Sequence, residues 1–153
     1  MVKRSAGILL HRTRGGSTEV LLVHPGGPFW RNKDLGAWSI PKGEHGEDEQ
    51  PQAAALREFA EETGWRPGAD ELLDLGEVRQ RSGKTVHAWA LRGDFDPAQL
   101  VSNEVEIAWP PRSGRTQLFP EVDRAEWFNP DAAREKINPA QAAFLDRLLD
   151  QLG

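Results

Sequence analysis

Residues 43 to 65, GEHGEDEQPQAAALREFAEETGW, restrict what this chain can become more than any other stretch does. Pro51 suits the first turn of a helix and Gly64 its C-terminal stop, so the residues between them read as one helix. On a wheel that advances about 100° per residue, with Glu58 at zero, Glu61 falls near −60° and Glu62 near +40°. Leu56, Phe59, Ala60 and Thr63 fall on the opposite side. One face is thus built to bury and the other to gather negative charge. Like charges at i,i+3 and i,i+4 repel by roughly a few tenths of a kcal/mol per pair. Such a cluster makes most sense with a cation on it, and a hard divalent ion with oxygen ligands is the natural candidate.

The same stretch carries a family pattern. Gly43, then five residues, Glu49, then seven residues, then Arg57-Glu58-Phe59-Ala60-Glu61-Glu62-Thr63-Gly64-Trp65 resembles the Nudix box, the signature of the Nudix hydrolases. Every specified position of the pattern is matched, with Phe59 and Trp65 in its bulky apolar slots. The resemblance implies an α/β (α+β) Nudix fold, a mixed curved β-sheet sandwiched between α-helices. It also implies that Glu58, Glu61 and Glu62 ligate Mg²⁺ or Mn²⁺, joined by the carbonyl of Gly43. Glu58 and Glu61 would be catalytic in that scheme. Arg57 and Glu49 resemble the guanidinium–carboxylate pair that braces the box and orients its ligands.

Resemblance extends on both sides of the box. Upstream, Trp38-Ser39-Ile40-Pro41-Lys42-Gly43 is similar to the W-x-x-P-K-G entry of asymmetric diadenosine tetraphosphate hydrolases, which implies a phosphate-binding role for Lys42. Downstream, Glu121 stands six residues before Trp127. This spacing resembles that of the loop glutamate which serves the diadenosine group as a further metal ligand or base. Glu104, Glu106 and Glu126 are the alternatives. Arg112 and Arg115 lie on a loop stiffened by Pro110 and Pro111 and are candidates to clamp distal phosphates, because guanidinium binds phosphate bidentately. Trp30, beside Phe29 in a Gly/Pro-rich loop, is a candidate to stack on a base.

Bulk properties narrow the class of protein. A chain of 153 residues, 38% hydrophobic and 28% charged, is the size and composition of one globular domain, here expected over residues 1 to 153. The absence of cysteine removes thiolate catalysis, thiolate metal sites and disulfides. A net charge of −5 argues against general nucleic-acid binding, though bound metal ions can reverse the local sign of a site. No apolar run approaches a membrane span, and the N-terminus runs straight into a strand-like segment, so a cytoplasmic home is expected. A monomer and a homodimer are both compatible with the sequence.

Along the chain, residues 5–11 and 20–24 read as strands around a turn at Gly15-Gly16, and 37–40 as a short strand entering the box. Residues 72–79 and 85–91 read as two further strands around Ser82-Gly83. Residues 104–109 and 124–128 also read as strands, separated by a Pro-rich segment over 110–120. Asn129-Pro130 and Asn138-Pro139 each pair a capping residue with proline, so two helices close the chain. The second carries Phe144, Leu145, Leu148, Leu149 and Leu152 as an apolar stripe. Gly83-Lys84-Thr85 imitates the tail of a P-loop, but the position requiring its first glycine is Val78. None of His11, His24, His45 and His87 is paired at metal-binding helical spacing.

The reading that follows is a metal-dependent pyrophosphohydrolase acting on a nucleoside diphosphate linked to another moiety. Dinucleoside polyphosphates such as diadenosine tetraphosphate are favoured. The alternatives are a nucleoside triphosphate pyrophosphatase that sanitises the nucleotide pool, an RNA 5′ pyrophosphohydrolase, and a non-catalytic nucleotide sensor.

Overall fold

The apolar runs near the N-terminus form the two central strands of a six-stranded mixed sheet. In the computed structural model, which describes residues 3–67 and 71–153, these are β1 (Arg4–Arg14) and β2 (Ser17–Pro25). The remaining strands are β3 (Lys42–Glu44), β4 (Leu73–Arg79), β5 (Thr85–Arg92), β6 (Glu104–Ala108), β7 (Thr116–Pro120) and β8 (Val122–Phe128). The helices are α1 (Pro51–Thr63), α2 (Pro130–Lys136) and α3 (Ala142–Leu152). The sheet runs β4-β5-β1-β2-β8, with β3 also paired to β1, while β6 and β7 form a separate two-stranded hairpin. Only β1 and β5 are parallel; every other pairing is antiparallel.

Both faces of the sheet are covered, which is why β1 and β2 are apolar almost without interruption. Ala6, Ile8, Leu10, Leu21 and Val23 pack with Ala54, Ala55 and Phe59 of α1. Leu9, Val20 and Leu22 pack on the other side with Ala133 of α2 and with Phe144, Leu145 and Leu148 of α3. The expected sandwich of a mixed sheet between helices is therefore present. The stripe on α3 fades toward its end, where Leu152 is exposed.

The feature that creates a site is a split in the sheet. β1 and β2 pair only from His11↔Val20 to Arg14↔Ser17. Beyond that point they part, and residues 39–44 enter the gap. Ser39 exchanges two backbone hydrogen bonds with Val23, at 2.8 and 3.0 Å, and Lys42 to Glu44 pair with Gly7 to Ser5. The strand expected over 37–40 is thus reduced to single bridges at Trp38 and Ser39, and the continuous strand lies at 42–44. Pro41 interrupts pairing because it has no N–H to donate. Its carbonyl instead accepts from Ile8 N–H at 3.1 Å.

Two other elements differ from expectation. The Pro-rich segment contains β7, because Thr116 to Pro120 pair residue by residue with Ala108 to Glu104. Asn138 caps a short 3₁₀ turn, Pro139–Gln141, that leads into α3 rather than capping the α-helix itself. Asn129 does cap α2, accepting from Ala132 N–H at 2.8 Å. Gly64 ends α1 in the left-handed region at φ 79°, as its place in the sequence requires.

Gly7 marks a tight backbone crossing in the split, since a Cβ there would lie 2.6 Å from the Pro41 carbonyl oxygen. Gly7→Ala should therefore lower stability by about 1–3 kcal/mol through overpacking. Thermal melting, which moves roughly 2–4 °C per kcal/mol for a chain of this size, measures it. An unchanged melting temperature refutes the close approach.

Candidate active site

α1 is anchored to the sheet by Ala54, Ala55 and Phe59, and this orientation decides where its glutamates go. Glu58 and Glu62, one turn apart, are not on the open surface. They are 7% and 4% exposed, covered by β3 and by the junction between β7 and β8. The separation of an acidic from an apolar face expected from the helical wheel holds only in part: Glu58 and Glu62 turn inward on the same side as Ala54 and Ala55, while Leu56 and Ala60 are only partly buried. Glu61 is the one that stays partly exposed.

Glu121, the single residue between β7 and β8, completes the group. One carboxylate oxygen from each of Glu58, Glu62 and Glu121 lies within 4.8 Å of the other two. Glu104, Glu106 and Glu126 are not part of it; the Glu106 carboxylate instead accepts from the Thr116 hydroxyl. Gly43 forms the opposite wall, and a Cβ there would lie 2.0 Å from the Glu58 carboxyl carbon. Any side chain at that position would displace the carboxylate.

Arg57 organises the outer side. Its Nε and Nη2 donate to the two Glu49 oxygens at 2.7 and 2.8 Å, a bidentate contact, and Nη1 donates to Glu58 at 2.9 Å. The same Nη1 reaches Glu61 at 3.2 and 3.3 Å, so the Glu61 carboxylate is held by arginine rather than drawn into the three-carboxylate group. Glu49 holds the guanidinium firmly protonated, and Arg57 in turn keeps the Glu49 carboxyl below its usual range.

The electrostatics of the inner carboxylates run the other way. Burial pushes the Glu62 carboxyl well above its ordinary value, and the neighbouring Glu121 adds to the shift. Burial also raises Glu58, although Arg57 opposes it. Lys42, half-buried nearby, is shifted down chiefly by its own desolvation. Lys42, Glu62 and Glu121 line a cleft of about 140 Å³ together with Val23, Pro25, Ser39, Ile40 and Val122.

This donor set fits a divalent cation. Two buried carboxylates with a third, half-buried one beside them are unfavourable unless protons or a cation neutralise them. Oxygen-only ligands suit Mg²⁺ or Mn²⁺. One oxygen of Glu62, Oε2, is buried without any hydrogen-bond partner, which is what a carboxylate reserved for an ion looks like.

Other residues singled out from sequence lie elsewhere. Arg112 and Arg115 are exposed at the tip of the β6–β7 hairpin and form no ion pair among the described residues. Phe29 and Trp30 are 56% and 40% exposed; Phe29 packs edge-on against Trp109 at 5.7 Å, next to the same tip. Trp38 is core: it is buried against Phe128 and donates its Nε1–H to Asp34 at 2.8 Å. Gly83 closes the β4–β5 turn at φ 91° and has no phosphate-loop context. The His45 ring bonds the Gly46 carbonyl at 3.1 Å, away from the carboxylate group. Sequence reasoning missed residues 101–103, which tie α1 to Glu121 through the backbone. Their side chains carry no pattern that marks this.

The NUDIX domain family model matches residues 1–148. The chain belongs to the NUDIX domain family. The match supports reading the site as that of a pyrophosphohydrolase, and NUDIX hydrolases generally use divalent metal. An octanoyltransferase of Myxococcus xanthus is 33% identical over 134 residues. That stretch is 88% of this chain but only 33% of the relative, so the chain spans about a third of that protein's length. Among solved structures, the NUDIX domain of Shewanella oneidensis NrtR, complexed with ADP ribose, is similar at TM-score 0.67 and 18% identity, covering 100% of this chain and 90% of that one. A Caenorhabditis elegans Ap4A hydrolase binary complex is similar at TM-score 0.65 and 22% identity, covering 99% and 98%. At these identities the two structures establish the shared NUDIX fold.

The raised carboxyls of Glu58 and Glu62 make stability depend on pH and metal together. A carboxyl whose pKa is higher folded than unfolded contributes stability below its ordinary value of 4.5 and loses it as pH rises through the folded value. Metal-free protein should therefore lose stability at this site between pH 5 and pH 8. Added Mn²⁺ should raise the melting temperature more at pH 8 than at pH 5, because protons and metal compete for the same oxygens. Glu62→Gln should shrink that difference. An equal metal-induced shift at both pH values contradicts it.

Proposed function

We propose that this protein is a metal-dependent pyrophosphohydrolase that cleaves the phosphoanhydride of a nucleoside diphosphate linked to another moiety. Dinucleoside polyphosphates such as diadenosine tetraphosphate are the proposed substrate class. The observation that carries the activity is the convergence of buried Glu58 and Glu62 of α1 with half-buried Glu121 of the β7–β8 junction, with a Glu62 oxygen left unpartnered.

In this reading Glu58, Glu62, Glu121 and the carbonyl of Gly43 hold Mg²⁺ or Mn²⁺, and Glu61 joins them when it leaves Arg57. The bound ion supplies charge screening at the phosphate oxygens and lowers the pKa of water. Arg57 and Glu49 keep Glu58 in place, so the ligand geometry is set before substrate arrives. Lys42, beside Glu62 and Glu121 in the cleft, offers a positive charge to a phosphate oxygen. Glu61 and Glu121 are the two carboxylates accessible enough to take a proton from attacking water.

The substrate preference rests on the hairpin. From Glu121 back along β7 to Thr116 is five residues, about 16 Å of strand. Arg112 and Arg115 follow at the far end of that strand, where Phe29 packs against Trp109. Only an extended ligand engages both ends, with its anhydride at the carboxylates and a distal phosphate or base at the hairpin tip. A dinucleoside tetraphosphate, with a second nucleoside beyond its phosphate chain, reaches further along the hairpin than a nucleoside triphosphate.

Glu58→Gln and Glu62→Gln should each reduce turnover by a factor on the order of 10² or more while leaving the fold intact, read by steady-state kinetics and circular dichroism. Near-normal turnover in either variant removes that residue from the machinery. A substrate panel with Mg²⁺ should rank diadenosine tetraphosphate above nucleoside triphosphates and 5′-diphosphorylated RNA. Arg112→Ala combined with Arg115→Ala should raise KM for the dinucleotide more than for triphosphates. Faster hydrolysis of triphosphates by the unaltered protein overturns the substrate assignment and leaves the hydrolase assignment standing.

A further inference from the structure

Glu121 is the one member of the carboxylate group that does not belong to α1, so something must fix its distance from that helix. Its position at a one-residue junction offers little stiffness of its own. The backbone around it, however, is clamped from two directions. The Glu121 N–H donates to the Asn103 carbonyl at 2.9 Å, and the Glu121 carbonyl accepts from Gly26 N–H at 2.9 Å. The next residue, Val122, donates its N–H to the Ser102 hydroxyl oxygen at 3.0 Å, and that hydroxyl donates to the Asn103 carbonyl at 2.9 Å.

The segment that receives Glu121 is itself tied to the end of α1. Val101 N–H donates to the Thr63 carbonyl at 3.0 Å, and Asn103 N–H donates to the Glu61 carbonyl at 2.9 Å. These are among the terminal carbonyls that a helix cannot satisfy internally. Gly64 allows the approach, since a Cβ there would lie 2.7 Å from the Val101 carbonyl oxygen. A three-residue strap thus connects the helix carrying Glu58 and Glu62 with the junction carrying Glu121. Within it, Ser102 has the only side chain that bonds to the junction, and its hydroxyl serves both as acceptor for Val122 and as donor to the carbonyl that holds Glu121.

We infer that Ser102 is a positioning residue that sets Glu121 at ligand distance from Glu58 and Glu62. The inference rests on the metal-binding reading given above. Without the hydroxyl, Val122 N–H loses its acceptor and the Glu121 junction is held by the Asn103 and Gly26 backbone contacts alone. Glu121 then spends less time within reach of the other two carboxylates, and the site holds an ion less tightly.

The test is Mn²⁺ binding to the full chain by calorimetry, without substrate, for the unaltered protein, Ser102→Ala, Ser102→Thr, Glu121→Gln and the Ser102→Ala/Glu121→Gln double variant. Ser102→Ala should weaken Mn²⁺ about tenfold, the lower end of what loss of a ligand-orienting partner costs a metal site. Ser102→Thr, which keeps an oxygen in place, should recover most of that loss. In the Glu121→Gln background Ser102→Ala should have little further effect, because the two changes act through one group. Normal affinity in Ser102→Ala overturns the inference, as does a threonine variant as weak as alanine. The same tenfold loss in both backgrounds also overturns it, since Ser102 would then act independently of Glu121. Unaltered protein that takes up no Mn²⁺ defeats the hydrolase reading itself; Mn²⁺ uptake weakened by Glu121→Gln but indifferent to Ser102 defeats this inference alone.

Discussion

Three carboxylates held within reach of one another, two of them buried, are the constraint on which this structure turns. Burial strips hydration from Glu58 and Glu62 and neighbouring carboxylates add to the cost of charging them, which is why their carboxyls are pushed upward. Nothing about packing alone calls for such an arrangement. A fold that keeps it must hold the side chains from outside, and Arg57 does so on one flank with a bidentate grip on Glu49 and a contact to Glu58. Arginine suits the task because its planar fork meets carboxylates at two points and stays charged throughout the accessible pH range.

The space for that group comes from the sheet. By parting halfway along their length, β1 and β2 admit residues 39–44, which bring Lys42 and Gly43 against the buried face of α1. Within the split, glycine serves closeness rather than turn geometry at Gly7 for the Pro41 carbonyl and at Gly43 for the Glu58 carboxylate. The two covered faces of the sheet make the central strands rigid, and the site inherits that rigidity. The hairpin of β6 and β7 forms a separate two-stranded sheet whose turn carries the exposed Arg112 and Arg115.

Much of this was legible in the sequence, and the reasons differ from residue to residue. Pro51 and Gly64 bounded α1 because each is compatible with few other backbone positions. The strands showed through their apolar runs, and α3 through its stripe at Phe144, Leu145 and Leu148. Local pattern failed where partners are distant in sequence. The segment 37–40 looked like a strand but spends its hydrogen bonds on isolated bridges, and Thr116 to Pro120 looked like a loop but found a partner in 104–108. Inward or outward orientation of Glu58, Glu61 and Glu62 also escaped the helical wheel, which places residues around an axis but does not know what stands beside it.

The order of residues in one short helix determined on its own that three carboxylates crowd one sector of its surface, because helical geometry converts spacing into direction without reference to the rest of the chain. Which of those charges are buried, that Glu121 rather than Glu104, Glu106 or Glu126 joins them, and that Ser102 and Asn103 stand between, was decided only in three dimensions. The backbone hydrogen bonds among them join residues 18 and 42 positions apart, Glu121 with Asn103 and Asn103 with Glu61. Every residue except proline can offer both halves of such a bond, so they leave no mark on the identity of the side chains.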